Sequence, residues 1–212
     1  MIKNSWAPIP IRTHLITAGE DILDIVKKYA VPVARSGDII IIAESPVAIS
    51  QGRAVLSSSV KSTRLAQFLS RFPKKDGNLA TPAAMQVAID EVGAFRVLLG
   101  ATAGALGRLL GRQGDFYRVA GKSLAKIDDI AGTLPPFDSH IVPAPKDPQG
   151  ITDKIYKEFG ITVAIADVND IRCVDILALS GDHLEENILK ILEENPLGND
   201  DQQTPLMVLK KL

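Results

Sequence analysis

Cysteine is almost missing from this chain: Cys173 is the only one in 212 residues. A single thiol forms no intrachain disulfide and no cysteine zinc cluster. Aromatic residues are scarce at 5%, which leaves little for a base-stacking platform. The net charge is only −1, which argues against a general nucleic-acid or membrane-surface binder. Long apolar runs are also lacking. The longest uncharged, mostly apolar one, Val97 to Gly107, is about half of the ~20 residues a membrane helix needs. The opening stretch MIKNSWAPIPIRTH has no continuous apolar segment of the signal-peptide kind. These absences predict a soluble, cytoplasmic protein with no membrane or nucleic-acid partner.

What the chain does have is core material. The hydrophobic fraction is 46% and the mean hydropathy is +0.12, so it should fold. The length suits one sizeable core or two lobes sharing one. Ile9, Ile11, His14 and Ile16 suggest a first strand. Thr17 and Glu20 have capping-box spacing before a helix with the apolar stripe Ile22, Ile25, Val26 and Tyr29. Gly37-Asp38 marks a turn. Ile39 to Ala43 reads as a strand buried on both faces. Gln51-Gly52-Arg53 reads as a turn, Lys61 to Phe72 as a helix, and Thr81-Pro82 as the start of another. Phe116 to Ala120 reads as a strand. Thr152-Asp153 should open a helix that Gly160 stops. Ile161 to Ala166, Cys173 to Leu179 and Leu206 to Leu209 complete the strands, with a helix capped by Asp182 and Glu185 between the last two. The order is mixed α/β without strict alternation.

Gly100 with Gly104, and Ala103 with Gly107 and Gly111, fall at small-xxx-small spacing. The spacing lets two backbones approach closely, at about 1 kcal/mol of helix propensity per glycine. A tightly packed internal helix is the favoured reading, ahead of a dimer seam or a ligand loop. Gly121-Lys122-Ser123 is not a P-loop, because Phe116 stands where that pattern needs glycine. No dinucleotide fingerprint and no serine-hydrolase elbow is present. His14, His140 and His183 are scattered, and Cys173 sits in an apolar strand as core cysteines do. Two aspartates remain. Asp128 ends the strand-like run Ser123 to Ile127, and Asp167 ends Ile161 to Ala166. Carboxylates at strand ends suit Mg²⁺ or Mn²⁺ beside substrate phosphates. The same residues also serve as ordinary turn aspartates.

Four stretches, in order, resemble the coenzyme F-420-0:gamma-glutamyl ligases. They are Ile11-Arg12-Thr13 through Ala18-Gly19-Glu20-Asp21-Ile22; Gly37 to Ala43 followed by Gln51-Gly52-Arg53; Ala125-Lys126-Ile127-Asp128 with Leu134-Pro135-Pro136 and Asp147-Pro148-Gln149-Gly150; and Ile165-Ala166-Asp167-Val168-Asn169. The resemblance implies a mixed α/β fold of the gamma-glutamyl ligase kind over residues 1–212, as a single globular unit in an intertwined homodimer. It implies a GTP-dependent ligase that adds L-glutamate to a phospholactyl deazaflavin through an acyl phosphate. Mg²⁺ or Mn²⁺ would lie on Asp128 and Asp167, with Asn169 and Arg53 at the nucleotide or substrate. The basic stretch Arg108 to Lys126 would meet the anionic substrates, or else form a solvated face. Ala48-Ile49 replace the family's Ser-Lys, Gln51 its glutamate, Lys126 a glycine, Ile130-Ala131 Ser-Asn, and Val168 a threonine. The part after Asn169 is shortened. These departures leave a second expectation: a homologue that binds nucleotide or ligand without catalysis.

Overall fold

The computed structural model describes residues 6–73, 78–127, 135–168, 174–181, 184, 186–198 and 202–212. It falls into two compact units, residues 1–53 with 145–212 and residues 54–144.

The first unit is built on a mixed sheet. Its strands are β1 (Trp6–Ile11), β2 (Ile39–Ala43), β5 (Thr162–Val168), β6 (Val174–Leu179) and β7 (Leu206–Lys211); β3 (Val55–Leu56) and β4 (His140–Ile141) belong to the second unit. The order is β1-β7-β2-β5-β6, with β2 and β5 parallel and every other pair antiparallel. Pro8 and Pro10 sit in edge strand β1, where missing amide donors cost least. The isoleucine run explains the central strand: Ile40, Ile41 and Ile42 are wholly buried, each worth about 1.5–3 kcal/mol of transfer free energy. Ile40 and Ile42 face one layer with Val163 and Ile165; Ile39 and Ile41 face the other with Ala164 and Ala166. The final strand runs to Lys211 and lies between β1 and β2 rather than at an edge.

Helix α1 (Ile22–Tyr29) buries Ile22, Ile25 and Val26 on the first layer, beside Ile155 of α7 (Pro148–Phe159). The Asp21 carboxylate caps α1 by accepting from the Leu23 amide at 2.9 Å. Helix α7 opens five residues earlier than Thr152-Asp153 suggests. Asp147 caps it from a left-handed conformation, φ 46°, and Pro148 takes the first position. Gly160 ends it in the left-handed region, as its sequence position predicts. Buried Asp38 pairs with Lys210 at 2.9 Å and accepts from the Lys211 amide. Burial pushes its carboxyl upward, but Lys210 and the amides of Lys211 and Arg35 outweigh it and hold it below the usual range. Helix α8 (Glu186–Leu192) covers the other layer with Ile188, Ile191 and Leu192. Its expected caps, Asp182 and Glu185, and the strand's expected first residue, Cys173, lie outside the described residues.

The second unit is mostly helical. It holds α3 (Arg64–Leu69), α4 (Pro82–Val92), α5 (Ala94–Leu109), α6 (Asp115–Ala120) and the short pair β3 (Val55–Leu56) and β4 (His140–Ile141). Helix α3 is shorter than Lys61 to Phe72. Thr63 caps it, and the Thr63 amide and hydroxyl both donate to Gln86 Oε1. Phe116 to Ala120 is a helix, not a strand. The glycines of α5 decide this. A Cβ on Gly100 would lie 2.6 Å from the Ala120 Cβ, and one on Gly107 would lie 2.3 Å from Asp115 Oδ2. The small-residue stripe therefore answers close packing of α6, as the favoured reading had it. Ser123 to Lys126 belongs to a 3-10 turn, Lys122–Lys126, rather than a strand. Gly121, φ 134°, separates that turn from α6.

Candidate functional site

The parallel strands β2 and β5 run side by side, Ala43 opposite Ala166. In open α/β sheets, ligands gather beyond the carboxyl ends of such strands. Here three carboxylate residues meet that end. Glu44 follows Ala43 and starts α2 (Glu44–Ser50), buried at 7% exposure. Asp167 is the next residue on β5, one before the strand's end, so it lies within the strand rather than past it. Asp175 stands directly opposite Asp167 on β6.

That last pairing depends on a bulge. Ile165 faces Ala178, but Ala166 faces Ile176, so Leu177 is the extra residue. Without the shift, Asp167 would lie across from Ile176. With it, two aspartates share one face of neighbouring strands, an arrangement that costs stability for like charges. Alternation puts them on the face of Val163 and Ile165. The sequence reading missed Asp175 and Glu44. Glu44 was legible as the residue that follows the isoleucine strand; Asp175 becomes visible only through the bulge.

The other expected site residues distribute as follows. Asp128 and Asn169 lie outside the described residues; Ile127, before Asp128, is buried. Arg53 ends α2 in a Schellman turn: its amide donates to Ala48 O at 3.0 Å, and the Gly52 amide to Ile49 O at 2.8 Å. Gly52 takes φ 71°, which explains the Gly-Arg pair conformationally. Arg53 is half-buried and has a partner. Ala48 and Ile49 are buried in α2, at 0% and 6% exposure. The positions of a serine and a lysine are thus apolar core here.

Gln51 has its own logic. Its Nε2 donates to Lys146 O at 2.8 Å, and its Oε1 accepts from the Lys146 amide at 2.7 Å. Only an amide can do both, so a glutamate at this position could not replace it. Gln149 acts alike toward β6, donating to Leu179 O at 2.8 Å. Asp147-Pro148-Gln149-Gly150 therefore builds the start of α7: a Cβ on Gly150 would lie 2.2 Å from Asp147 Oδ2.

A polar cluster sits at the entrance to α1. His14 Nε2 meets Glu20 Oε2 at 2.5 Å, and His14 Nδ1 meets the Tyr29 hydroxyl at 2.8 Å. Glu20 Oε1 accepts from the Thr17 amide at 2.6 Å and from the Thr17 hydroxyl at 2.9 Å, a turn ahead of the helix and not the expected capping box, since Asp21 is the residue that caps α1. The bond to Glu20, then that to Tyr29, raises His14 above its ordinary 6.5. Lys28, then His14, lowers the Tyr29 hydroxyl to about 8. The Gly19 amide donates to Ser50 O at 2.8 Å and holds this loop on the end of α2. A cavity of about 330 Å³ lies beside it, lined by Glu20, Asp21, Gln51 and Lys154 among others.

Among the described residues no three His, Cys, Asp or Glu side chains form a group that would hold a metal. The donors at the strand ends are carboxylate oxygens only, the set that suits Mg²⁺ or Mn²⁺ rather than a soft metal. Asp167 fits such an ion in kind, and Asp128 and Asn169 fall beyond the described part of the site. Also among the described residues, no single helix is long and apolar enough to cross a membrane.

A sequence model of the F420-0:gamma-glutamyl ligase family matches residues 10–169. No curated protein matches the chain.

Proposed function

The chain belongs to the F420-0:gamma-glutamyl ligase family, and from that premise we propose that residues 1–212 work as a GTP-dependent amide ligase. The family's activity is gamma-glutamyl ligation of F420-0, a step in F420 biosynthesis. For this chain the reading is L-glutamate, or another amine, joined to a carboxylate acceptor, with Mg²⁺ or Mn²⁺ held by Asp128 and Asp167. Asn169 lies beside them, and Arg53 serves the nucleotide or substrate. The observation that carries the reading is the bulge that sets Asp167 against Asp175 at the carboxyl end of β2 and β5.

The chemistry follows from the poor reactivity of a carboxylate. One acceptor oxygen attacks the γ-phosphorus of GTP, the bond to the bridging oxygen breaks, and GDP leaves with the electron pair. The resulting acyl phosphate is an electrophile. The amine nitrogen attacks its carbonyl carbon, the carbon–oxygen bond to phosphate breaks, and the amine gives up a proton. A divalent cation, when bound, neutralises phosphate charge and aligns the groups. Cations from Arg108 to Lys126 supply attraction for anionic substrates. The reading includes a cytoplasmic homodimer. Exposed Phe95, Leu106 and Leu109 on α5 support an interface, because contiguous apolar patches mark association surfaces.

Calorimetry with GTP, with and without Mn²⁺, tests the site. Metal-dependent binding that Asp128→Asn and Asp167→Asn both abolish is the expected result. Absence of any nucleotide binding would sink the proposal. A second reading has its own support: buried Ala48 and Ile49 remove a hydroxyl and a cation from α2. It predicts nucleotide or ligand binding without acyl phosphate or amide product, which phosphate release with glutamate and acceptor would separate from the first.

A further inference from the structure

The polar cluster at the entrance to α1 has more connections than a turn needs. His14 stands in the loop after β1, Glu20 stands just before α1, and Tyr29 is the last residue of that helix. The Tyr29 ring packs on the sheet core and lies 5.6 Å from the His14 ring, centroid to centroid. Apolar packing therefore fixes where its hydroxyl points. The loop is tied down at both ends. The Thr13 amide donates to Gln203 O at 3.1 Å, the Thr13 hydroxyl to His14 O at 2.7 Å, and the Gly19 amide to Ser50 O at 2.8 Å.

The hydrogen bonds run in one direction. A carboxylate only accepts, so His14 Nε2, 2.5 Å from Glu20, carries a proton. In the neutral ring Nδ1 is then bare and accepts. The Tyr29 hydroxyl, 2.8 Å away, donates to it. Glu20 is held in turn by the Thr17 amide and hydroxyl, at 2.6 and 2.9 Å. Its bond to His14 keeps its carboxyl below the usual range, so it stays an anion. Hydroxyl on base, and base on a third group that orients it, is the geometry of an activated nucleophile.

Proton transfer to Nδ1 leaves a phenolate, and the surroundings suit one. The His14 amide donates to the oxygen from 3.4 Å, and Lys28 Nζ lies 4.8 Å from the ring centroid. Lys28, then His14, brings the hydroxyl from 10 to about 8. A phenolate displaces leaving groups no more basic than itself, which selects activated acyl donors over amides and alkyl esters. Asp21, next to Glu20, accepts from the Leu23 amide and from Lys154 Nζ at 3.1 Å, so it does not compete for His14. The other two tyrosines lack the base. Among the described residues no histidine bonds Tyr117 or Tyr156, although Tyr156 is 46% exposed. Burial pushes the Tyr117 hydroxyl up.

We propose that Tyr29 is a nucleophilic site that takes an acyl group from an activated ester, with His14 as its base and Glu20 as the residue that positions His14. Tyr29 Oη attacks the carbonyl carbon of the ester while His14 Nδ1 takes the phenol proton. The bond from that carbon to the leaving oxygen breaks, and the leaving group departs with the electron pair. The imidazolium passes the proton to the leaving group. The product is an aryl ester on Tyr29. Neither nucleotide nor metal enters the step, so its success or failure is separate from that of the ligase reading.

Reaction of the full chain with p-nitrophenyl acetate is the test, read by release of p-nitrophenolate and by mass spectrometry of the acetylated peptides. Acetyl should appear on Tyr29 at least about tenfold faster than on Tyr156. The Tyr29 rate should rise with pH and level off below the ordinary tyrosine value of 10. His14→Gln should slow Tyr29 at least about tenfold and leave Tyr156 unchanged. Glu20→Gln should slow it less and lower the pH at which His14 loses its proton. Both side chains reach solvent, and circular dichroism checks the fold of each variant. Hydroxylamine should remove the acetyl group, as it does from a phenyl ester. Acetyl on Lys28 that resists hydroxylamine, with Tyr29 unmodified, would overturn the assignment, because the amine is then the nucleophile. So would equal rates at Tyr29 and Tyr156, or a Tyr29 rate that His14→Gln leaves unchanged.

Discussion

The sheet unit and the helical unit solve the problem of apolar surface differently. In residues 1–53 and 145–212, helices cover both sheet faces, and among the described residues the exposed large apolar ones there are Ile9, Tyr156 and Leu212. Among the described residues of 54–144 they are ten, six of them in or just after α5. Charge divides the same way. The sheet unit holds eighteen acidic against thirteen basic residues, and the helical unit seven against eleven. A whole-chain charge of −1 conceals this division, so net charge says little about either unit's partners. The sheet unit is finished by its own chain. The helical unit packs one face of α5 through its glycines and leaves apolar side chains exposed on the others.

The largest expected effect breaks the helical unit at its closest approach. Gly100→Val adds a branched side chain where even a Cβ would meet Ala120 at 2.6 Å and the Phe116 carbonyl at 3.0 Å. Overpacking of this kind costs about 1–3 kcal/mol or more. Trp6, the sole tryptophan, lies buried in the sheet unit and reports on that unit alone. Far-UV circular dichroism should lose helix at a lower denaturant midpoint than the wild type, before Trp6 fluorescence changes. An unchanged midpoint would contradict the close packing. Coincident transitions by both probes would show that the units unfold together.

A middle-sized effect sharpens the contrast from the sheet side. Gln51→Glu restores the family's carboxylate and removes the amide that donates to Lys146 O. The loss of one hydrogen bond at an exposed position is about 1 kcal/mol. The variant should melt lower, by about 2–4 °C for a chain of this size. If Gln51 were only a lost catalytic group, stability would not change.

These two positions show what was legible. Local patterns gave the isoleucine strand, the α1 stripe and the Gly160 stop, because each is decided within one element, whereas the Thr17–Glu20 spacing marked a turn ahead of α1, which Asp21 caps. Phe116 to Ala120 misled, because its helix is decided by glycines on another element. Asp167 was legible as a carboxylate ending an apolar run. Its partner Asp175 was not, since a single extra residue, Leu177, sets the register. Gln51 looked like a missing acid until its two bonds to Lys146 were known.

The smallest effect concerns His14, where the sheet unit has a titrating group near its surface. The Glu20 bond raises its folded pKa above the unfolded value. The stability it adds is therefore fully present below the unfolded pKa near 6.5 and is lost as pH rises through the folded value. The pair is exposed, 41% and 30%, so solvent screening limits it to at most about 1 kcal/mol. A direct measurement is NMR titration of the His14 ring. It should titrate above 6.5 in the wild type, and Glu20→Gln should lower it toward that value. The same substitution should slightly flatten stability between neutral and mildly alkaline pH. An unshifted His14 in the wild type would dissolve the cluster. It would leave Glu20 as the acceptor of the Thr17 amide and nothing more.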